Sequence, residues 1–405
     1  MPFEWFLAVR FLREGRAQTL LILVGVGVGV GVIVFLSALM NGLQTSLIKQ
    51  TLGSQAHIVL RAPDEAPRVL GREPDTQLAA RVVKPAQRVR SIEQWQKVAA
   101  DVERVSGVVA SSPVASGPAF ARRGSASRSV TLRGIVPARF DAIIHLSDRI
   151  KSGAFRLTGS EALIGVELAA DLGVAVGDKI TIAVADGRDD VFTVGAIFDL
   201  GNKDVNQRWV LVSLPVAQTL LDLVGGVSAI DLRVTEIFKA DAVAAEVASR
   251  EGLVADSWMK INAQLLVGLR SQDSSKWMIQ FFVIVAVALG IASVLVVSVV
   301  QKSREIGILR AVGASSARVM RIFLVQGALV GVAGSVIGCA LGALLATLFA
   351  SLAKNADGSP TFPVDLSPSL FVAATAVAIV TGLVAAVAPA RRAASLDPAG
   401  VIRYG

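Results

Sequence analysis

Cysteine and histidine are almost absent from this sequence, and their scarcity limits the chemistry open to it. Cys339 is the single cysteine in 405 residues, so the chain cannot form a disulfide within itself. The two histidines, His57 and His145, stand far apart, with no cysteine or carboxylate at metal-ligand spacing. The G-x-S-x-G and H-E-x-x-H motifs of hydrolases and metalloproteases are also missing. We therefore predict no catalytic residues and no metal site.

Charge is missing from four long stretches, residues 17–48, 277–301, 322–353 and 366–390. Each exceeds the ~20 residues that cross a hydrocarbon core of about 30 Å. The chain is 53% hydrophobic, with a mean hydropathy of +0.61, which is more apolar than a soluble protein of this length needs. We predict four transmembrane α-helices. The lack of charge within them disfavours an ion-coupled carrier.

The net charge of +8 is concentrated beside these stretches. Residues 1–18, 302–321 and 391–405 hold eleven bases and four acids, so about +7 of the charge lies there. The positive-inside rule assigns all three segments to the cytoplasm. This pattern indicates membrane topology rather than a surface that binds nucleic acid. We predict a multi-pass protein of the bacterial inner membrane with both termini cytoplasmic.

The predicted organisation places a large extracytoplasmic α+β domain between the first and second membrane helices. Its boundaries are 1–18 for an amphipathic N-terminal segment, 19–48 for the first helix, 49–276 for the extracytoplasmic domain with a β-rich insertion near 153–214, 277–301 for the second helix, 302–316 for a cytoplasmic coupling helix, 319–353 for the third helix, 354–365 for an outer loop, 366–390 for the fourth helix and 391–405 for a cytoplasmic tail.

Within the extracytoplasmic domain, local patterns predict several elements. Residues 62–90, rich in Pro, Arg and Glu, predict a long loop. Ser91-Ile-Glu-Gln94 resembles a capping box and predicts a helix over Ser91–Val105. Asp186-Gly187 predicts a tight hairpin between two strands. Three tryptophans of this domain are expected in its core or at a domain interface rather than as ligand platforms: Trp95, Trp209 and Trp258.

Glycines recur at helical spacing in two of the membrane stretches. Five of them fall within a stripe about 80° wide on the third helix, and these are Gly327, Gly331, Gly334, Gly338 and Gly342. In the first helix Gly25 and Gly29 form a small-xxx-small pair, which Gly27 and Gly31 overlap. Such faces allow helix backbones to approach closely in lipid. We expect a packing role, although glycine is also simply common in membrane helices.

The segment between the second and third stretches reads K-S-R-E-I-G-I-L-R-A-V-G-A-S. Residues 302–312 predict a short amphipathic helix with Ile306, Leu309 and Val312 on its apolar face. Gly313 is expected to end it, and Ser315 or Ser316 to cap the next helix. Such a helix suits docking in the groove of a partner protein. It equally suits an interfacial position on anionic lipid.

This connector, together with the C-terminal P-A-R-R-A-A-S-L-D-P-A-G-V-I-R-Y, resembles the ABC-permease superfamily that includes MacB, FtsX and the lipoprotein-releasing permeases LolC and LolE. The resemblance covers the whole chain, and segments such as Ser37-Ala-Leu-Met-Asn-Gly-Leu-Gln44 lean toward the Lol branch. The tight hairpin at Asp186-Gly187 departs from LolC, which carries a chaperone-binding hook there. The chain is thus more similar to LolE, or to a hookless relative that forms a homodimer.

The resemblance implies that a dimeric cytoplasmic ATPase grips the connector and drives movements of the extracytoplasmic domains. The contact residues it implies are Arg304, Glu305, Ile306, Gly307, Leu309, Arg310 and Gly313. The chain has no G-x-x-x-x-G-K-[ST] loop, so ATP and Mg²⁺ belong to the partner, and this chain binds no cofactor. Further implied partners are a second permease copy or paralogue, a lipid-anchored substrate, membrane lipid, and a periplasmic chaperone or adaptor.

Three functions are open at this point. The first is the release of lipoproteins or other lipid-anchored substrates from the inner membrane. The second is MacB- or DevC-like efflux with a periplasmic adaptor and an outer-membrane duct. The third is FtsX-like control of a cell-wall hydrolase, in which nothing is transported.

Overall fold

The computed structural model describes residues 3–63, 90–352, 354 and 363–395. Most of the predicted loop 62–90 and of the outer loop 354–365 lies outside the described residues, as do residues 396–405 of the tail. The chain folds as two units, which we call the membrane unit (residues 1–46 and 267–405) and the inserted unit (residues 47–266).

The helices of the described residues, in chain order, are α1 (Phe3–Glu14), α2 (Arg16–Leu52), α3 (Trp95–Val102), α4 (Pro137–Ile144), α5 (Val166–Leu172), α6 (Lys203–Arg208), α7 (Leu214–Leu220), α8 (Ala240–Glu251), α9 (Trp258–Ile261), α10 (Ala263–Gln301), α11 (Ser303–Ala311), α12 (Ser316–Leu352) and α13 (Pro368–Ala394). The strands are β1 (Ile58–Arg61), β2 (Val108–Arg123), β3 (Ala126–Ile135), β4 (Ile150–Gly153), β5 (Glu161–Gly165), β6 (Lys179–Val184), β7 (Asp189–Phe198), β8 (Trp209–Ser213), β9 (Ala229–Val234) and β10 (Val254–Ser257).

Four of these helices, α2, α10, α12 and α13, are long and apolar enough to cross a membrane. They confirm the predicted membrane architecture of four helices with an α+β domain between the first and the second. The helices extend beyond the charge-free stretches, and α10 begins at Ala263 rather than at Trp277. The reason is that absence of charge marks only the part suited to hydrocarbon, whereas a helix backbone continues through charged residues such as Arg270 and Asp273.

The glycine stripe of α12 packs against two different helices. A Cβ at Gly338 would lie 2.6 Å from Val30 Cβ of α2, and one at Gly342 would lie 2.8 Å from the Gly31 carbonyl oxygen. Gly334 of α12 faces Val26 of α2. The stripe therefore lets α12 approach the backbone of α2 closely.

The first part of the same stripe faces α13. A Cβ at Gly331 would lie 2.7 Å from the Ala378 carbonyl oxygen, and Gly327 faces Gly382 at still closer range. One narrow stripe therefore serves two neighbours, with its first part against α13 and its later part against α2.

The four glycines in the predicted small-xxx-small pairs of α2 do not all pack as such pairs would require. Gly27 and Gly31 face Ile337 and Leu341 of α12, and Gly29 faces Val287 of α10. A Cβ at Gly25 would meet no described atom within 4 Å. Gly25 therefore makes no close helix contact among the described residues of this chain.

Polar side chains join α2 to α10 inside the membrane unit. Gln280 Nε2 donates to Ser37 Oγ at 2.7 Å, and both residues are buried. Along the same two helices, Gln44 Nε2 donates to Asp273 Oδ1 at 2.9 Å. Lys276 Nζ lies 3.4 Å from Asn41 Oδ1 and 3.4 Å from Asp273 Oδ1. These side chains partner one another across the two helices, which fixes how α2 and α10 face each other. We call this set of contacts the polar ladder.

The inserted unit is built on one sheet of the described strands. Its order is β10-β1-β9-β2-β3-β8-β5-β7-β4, with β6 paired to both β2 and β7. The strands of residues 150–213 join this same sheet, through β8 beside β3 and β6 beside β2. The long strand β2 has no counterpart among the predicted elements, because Pro113, Gly117 and Pro118 interrupt the composition typical of strands.

Two local predictions in the inserted unit have opposite outcomes. The hairpin is confirmed, since β6 and β7 pair in antiparallel register from Lys179↔Thr193 to Ala183↔Asp189, and Gly187 has φ +84°. The capping box is wrong. Gln94 caps α3 in a left-handed conformation without a side-chain hydrogen bond, and the helix begins at Trp95. Ile92 is buried and pairs with Val227 as an isolated β-bridge. Because this bridge needs extended backbone at Ile92, the helix cannot begin at Ser91.

Replacing Gly338 by leucine should destabilise the membrane unit by about 1–3 kcal/mol, because the new side chain must displace Val30 or the backbone of α2. The matched control is Gly25→Leu, which adds the same side chain to a membrane helix where no described atom lies within 4 Å. Thermal unfolding of the purified protein in detergent measures both. Equal melting temperatures for the two variants would contradict the close packing inferred here.

Candidate functional site at the connector

The connector, residues 302–316, forms a helix and a sharp turn between α10 and α12. α11 runs from Ser303 to Ala311. Gly313 has φ +102°, a conformation that glycine adopts without strain, and ends the helix as predicted. Ser315 Oγ accepts a hydrogen bond from the Arg318 backbone N–H at 3.3 Å and so caps α12.

One face of α11 is buried against the helices of the membrane unit. Ile306 is only 1% exposed and packs with Val319 and Phe323 of α12 and with Ala390 and Ala393 of α13. Leu309 is half-buried and packs against a second cluster formed by Leu7, Ala8 and Phe11 of α1 with Ile322. The short helix is thus anchored on three neighbours.

The opposite face is open to solvent. Its residues, which we call the connector face, are Arg304, Glu305, Ile308, Ala311 and Val312. Ile308 is 51% exposed and Val312 is 84% exposed, so two aliphatic side chains stand beside an acid and a base. A mixed surface of this kind suits a protein partner better than water.

The predicted contact residues fall on both faces. Arg304, Glu305 and Gly313 are exposed, whereas Ile306 and Gly307 are buried inside this chain. Leu309 and Arg310 are half-buried, and Arg310 Nη1 donates to the Ala394 carbonyl oxygen at 3.1 Å.

The assignment of Val312 to the apolar face was wrong, because it follows the last helical residue and points outward. Ile308 was missed altogether. At about 100° per residue it lies 200° from Ile306, so the helical periodicity alone could have placed it with Arg304 and Glu305.

An ion cluster ties α1 to the start of α11. Lys302 Nζ binds Glu14 of α1 and lies 2.7 Å from Glu305 Oε1, while Arg10 Nε lies 2.8 Å from Glu14 Oε1. The Lys302 ammonium also stands 5.8 Å from the centre of the Phe11 ring. Hydrogen bonds from Lys302 and Arg10 lower the pKa of Glu14, and hydrogen bonds to Glu14 and Glu305 raise the pKa of Lys302. Both groups therefore stay charged at neutral pH, and the cluster holds the two helices together.

The inserted unit shows no comparable site among its described residues. His57 Nδ1 accepts the Val234 backbone N–H at 3.1 Å, and burial lowers its pKa. No group of three or more His, Cys, Asp or Glu residues in the described ranges could hold a metal. Trp258 is fully buried, as expected for a core residue, and its indole N–H donates to the Ile237 carbonyl oxygen.

A buried ion pair in this unit was not predicted. Arg133 Nη2 lies 2.8 Å from Asp231 Oδ2, and the guanidinium stacks 4.1 Å from the centre of the Trp209 ring. Burial raises the pKa of Asp231, which the charge of Arg133 partly offsets. Arg133 of β3 and Asp231 of β9 partner each other across the intervening strand β2, so the pair joins strands rather than forming a reactive centre.

The fold and the connector together define a class of protein. A membrane unit of four apolar helices carries an α+β domain between its first two helices and presents a short helix between its second and third. This is the organisation of a transporter permease subunit.

Comparison with known families agrees with this class. Residues 19–250 match the MacB-like periplasmic core domain, and residues 277–398 match the FtsX-like permease C-terminal domain. The chain belongs to the family of ABC transporter permeases that carry a MacB-like periplasmic core domain, which also includes FtsX, LolC and LolE. It is accordingly a multi-pass membrane protein of the inner-membrane type.

Among curated relatives, the chain is 28% identical to the lipoprotein-releasing system transmembrane protein LolC of Neisseria meningitidis serogroup B, over 76% of this chain and 81% of that protein. It is 26% identical to LolE of Haemophilus influenzae, over 77% and 81% respectively. The macrolide export protein MacB of Pectobacterium atrosepticum is 36% identical over 27% of this chain and 16% of its own length. The LolC and LolE identities are similar, so the leaning toward LolE stays a prediction.

Two solved structures are similar to part of the chain. The extracellular domain of YknZ from Gram-positive bacteria matches at a TM-score of 0.33 and 14% identity, covering 50% of this chain and 99% of that domain. The periplasmic region of MacB from Actinobacillus actinomycetemcomitans matches at 0.33 and 12%, covering 54% and 95%.

Replacing Lys302 by methionine should loosen α11, because Glu14 and Glu305 lose their shared partner. We expect the backbone amides of residues 303–311 to exchange about two- to fivefold faster with deuterated water, as for the loss of exposed ion pairs. Glu14→Gln should have a similar effect, and the double variant should be little worse than either single one.

The matched control for this prediction is Arg13→Gln on α1, next to Glu14, since Arg13 forms none of the ion pairs found among the described residues. Exchange rates in Lys302→Met that equal those of the Arg13→Gln control would show that the cluster does not hold α11.

Proposed function

We propose that this chain is the transmembrane subunit of an ABC transporter that releases lipoproteins or other lipid-anchored substrates from the inner membrane, driven by a separate cytoplasmic ATPase. The observation that carries the ATPase part is the connector face, where Ile308 and Val312 stand exposed beside Arg304 and Glu305 on a helix anchored from behind. Since the sequence has no phosphate-binding loop, ATP and Mg²⁺ would bind to the partner.

The proposed orientation puts the connector and both termini in the cytoplasm. It is supported by the bases of α1, the connector and the end of α13, including Arg13, Arg310 and Arg391. In this orientation the inserted unit is periplasmic, which agrees with its match to the MacB-like periplasmic core domain.

In the proposed mechanism, an ATPase dimer holds the connectors of two permeases, a second copy of this chain or a paralogue. Closing of the ATPase moves α11, and the ion cluster and the cluster around Ile306 pass that movement to α1, α12 and α13. The spans contain no charge, which fits a substrate handled at the outer membrane surface rather than conducted through the bilayer.

Lipoprotein release is favoured over the alternatives by the extent of similarity. LolC and LolE align over three quarters of this chain, whereas MacB aligns over about a quarter. The match of residues 19–250 to a MacB-like domain keeps efflux with an adaptor as the second candidate. The tight β6–β7 hairpin argues that a chaperone does not dock through a hook on this chain.

Substitution of the connector face should weaken ATPase association. Glu305→Lys and Ile308→Asp are each expected to reduce the ATPase that copurifies with the permease by fivefold or more, because each introduces an unmatched charge at the centre of the contact. Ile308 has no part in the ion cluster, so its variant separates docking from loosening of α11. Gly307 is buried, so a large side chain at that position would test the folding of the membrane unit rather than ATPase docking.

The control is Glu93→Lys, a charge reversal at an exposed position of the inserted unit. All three variants should insert in the membrane, and Ile308→Asp and Glu93→Lys should also melt like the natural protein. Recovery of the ATPase at undiminished levels with both connector variants would contradict the docking proposal.

The substrate is tested by mass spectrometry of the purified permease–ATPase complex. We expect triacylated lipoprotein to copurify without nucleotide and to leave the complex when ATP is hydrolysed. A hydrolysis-deficient ATPase should block that release. A complex that carries neither lipoprotein nor lipid-anchored substrate under any nucleotide condition would overturn lipoprotein release, and capture of an adaptor would favour efflux.

A further inference from the structure

A groove on the membrane unit lies between α1, α12 and α13, beside the connector. Its volume is about 330 Å³, within the range of small ligand sites. The residues that line it are Glu4, Trp5, Arg321, Leu324, Val325, Ala328 and Leu383. It is separate from the connector face, whose residues do not line it.

The groove is polar at one end and apolar along its wall. Arg321 is the last charged residue before the charge-free stretch of α12. Leu324, Val325 and Ala328 follow three, four and seven positions later, so they lie roughly 4.5 to 10.5 Å farther along the helix axis. Leu383 of α13 precedes the next charged residue, Arg391, by eight positions, which is roughly 12 Å. On both helices the apolar wall of the groove thus lies just inside the hydrocarbon. The arginines, Arg321 and Arg391, lie closer to the membrane surface.

The charge at the mouth of the groove is positive. Arg321 is exposed and belongs to none of the ion pairs found among the described residues. The Glu4 carboxylate lies 3.8 Å from Arg318 Nε, so this acid is already partnered by another base. Two guanidinium groups and one carboxylate leave a net charge of about +1 at the water boundary.

Trp5 completes the mouth. It is 43% exposed, while Leu7, Ala8 and Phe11 of the same helix are buried against α12 and hold it in place. An indole in this position is typical of the membrane–water interface, where one part of the ring meets hydrocarbon and its N–H meets polar groups.

We propose that this groove binds one phospholipid of the leaflet on the connector side, with its phosphate on Arg321 and one acyl chain along Leu324, Val325 and Ala328. The phosphate oxygens accept from the Arg321 guanidinium, which has no ion pair among the described residues, a charge-assisted contact that a lipid without phosphate cannot make. The apolar wall lies at a depth that a water-soluble partner does not reach. Because α1 forms one side of the groove, the bound lipid braces α1 against α12, next to the ion cluster that holds α11.

The test is native mass spectrometry of the detergent-purified permease titrated with dioleoylphosphatidylglycerol. Arg321→Gln should weaken binding about fivefold or more, as expected for the loss of one base at a membrane surface. Ala328→Trp should abolish binding by filling the wall. Dioleoylglycerol, which has the same chains without phosphate, should not displace the bound lipid.

Two controls match these variants. Arg392→Gln removes an exposed guanidinium at the same end of the bundle, and Ala333→Trp adds a ring to an exposed position of α12 outside the groove. Both should bind phosphatidylglycerol within twofold of the natural protein.

Undiminished binding by Arg321→Gln or Ala328→Trp would overturn the proposal, as would equal losses in the controls or displacement by dioleoylglycerol. A change of oligomeric state in Ala328→Trp would also overturn it, since a second copy of the chain would then be what covers the groove.

Discussion

The close approach of α12 to α2 and α13 is the constraint on which the rest of the membrane unit depends. In lipid, burial of apolar surface does not drive helices together, so contact must come from shape. Gly331, Gly338 and Gly342 remove the side chains that would hold the backbones apart. α12 also begins directly after the connector, and Val319 and Phe323 in its first turns pack against Ile306. The position of α11 therefore follows from the packing of α12.

Features encoded in local patterns were predictable from the sequence, and features decided by distant packing were not. Gly313, Ser315 and the Asp186-Gly187 hairpin depend on backbone conformation within a few residues, and the structure has all three. Val312 is a separate case, since it was misplaced because α11 ends one residue before it. The capping box failed because of distant packing, since Ile92 pairs with Val227 across more than a hundred residues.

The connector separates residues that pack inside this chain from residues that stay exposed. The motif residues of the connector were predicted as one contact set, yet Ile306 and Gly307 serve the interior of this chain. The residues that remain exposed form a small patch. Its aliphatic members, Ile308 and Val312, belong to none of the hydrophobic clusters among the described residues. Such an exposed patch is compatible with membership of the permease family, whose members generally work with a cytoplasmic ATPase.

The polar ladder has a mechanical consequence. Its side chains are spaced at Ser37, Asn41 and Gln44 on one helix and at Gln280, Lys276 and Asp273 on the other, so they match in a single alignment. Sliding either helix by one turn would leave amide and charged groups without partners at the edge of a bilayer, which is costly. The two chain segments that enter and leave the inserted unit do so through these helices. The ladder thus resists lengthwise sliding of α2 against α10, so the two helices are expected to move along their axes as a pair.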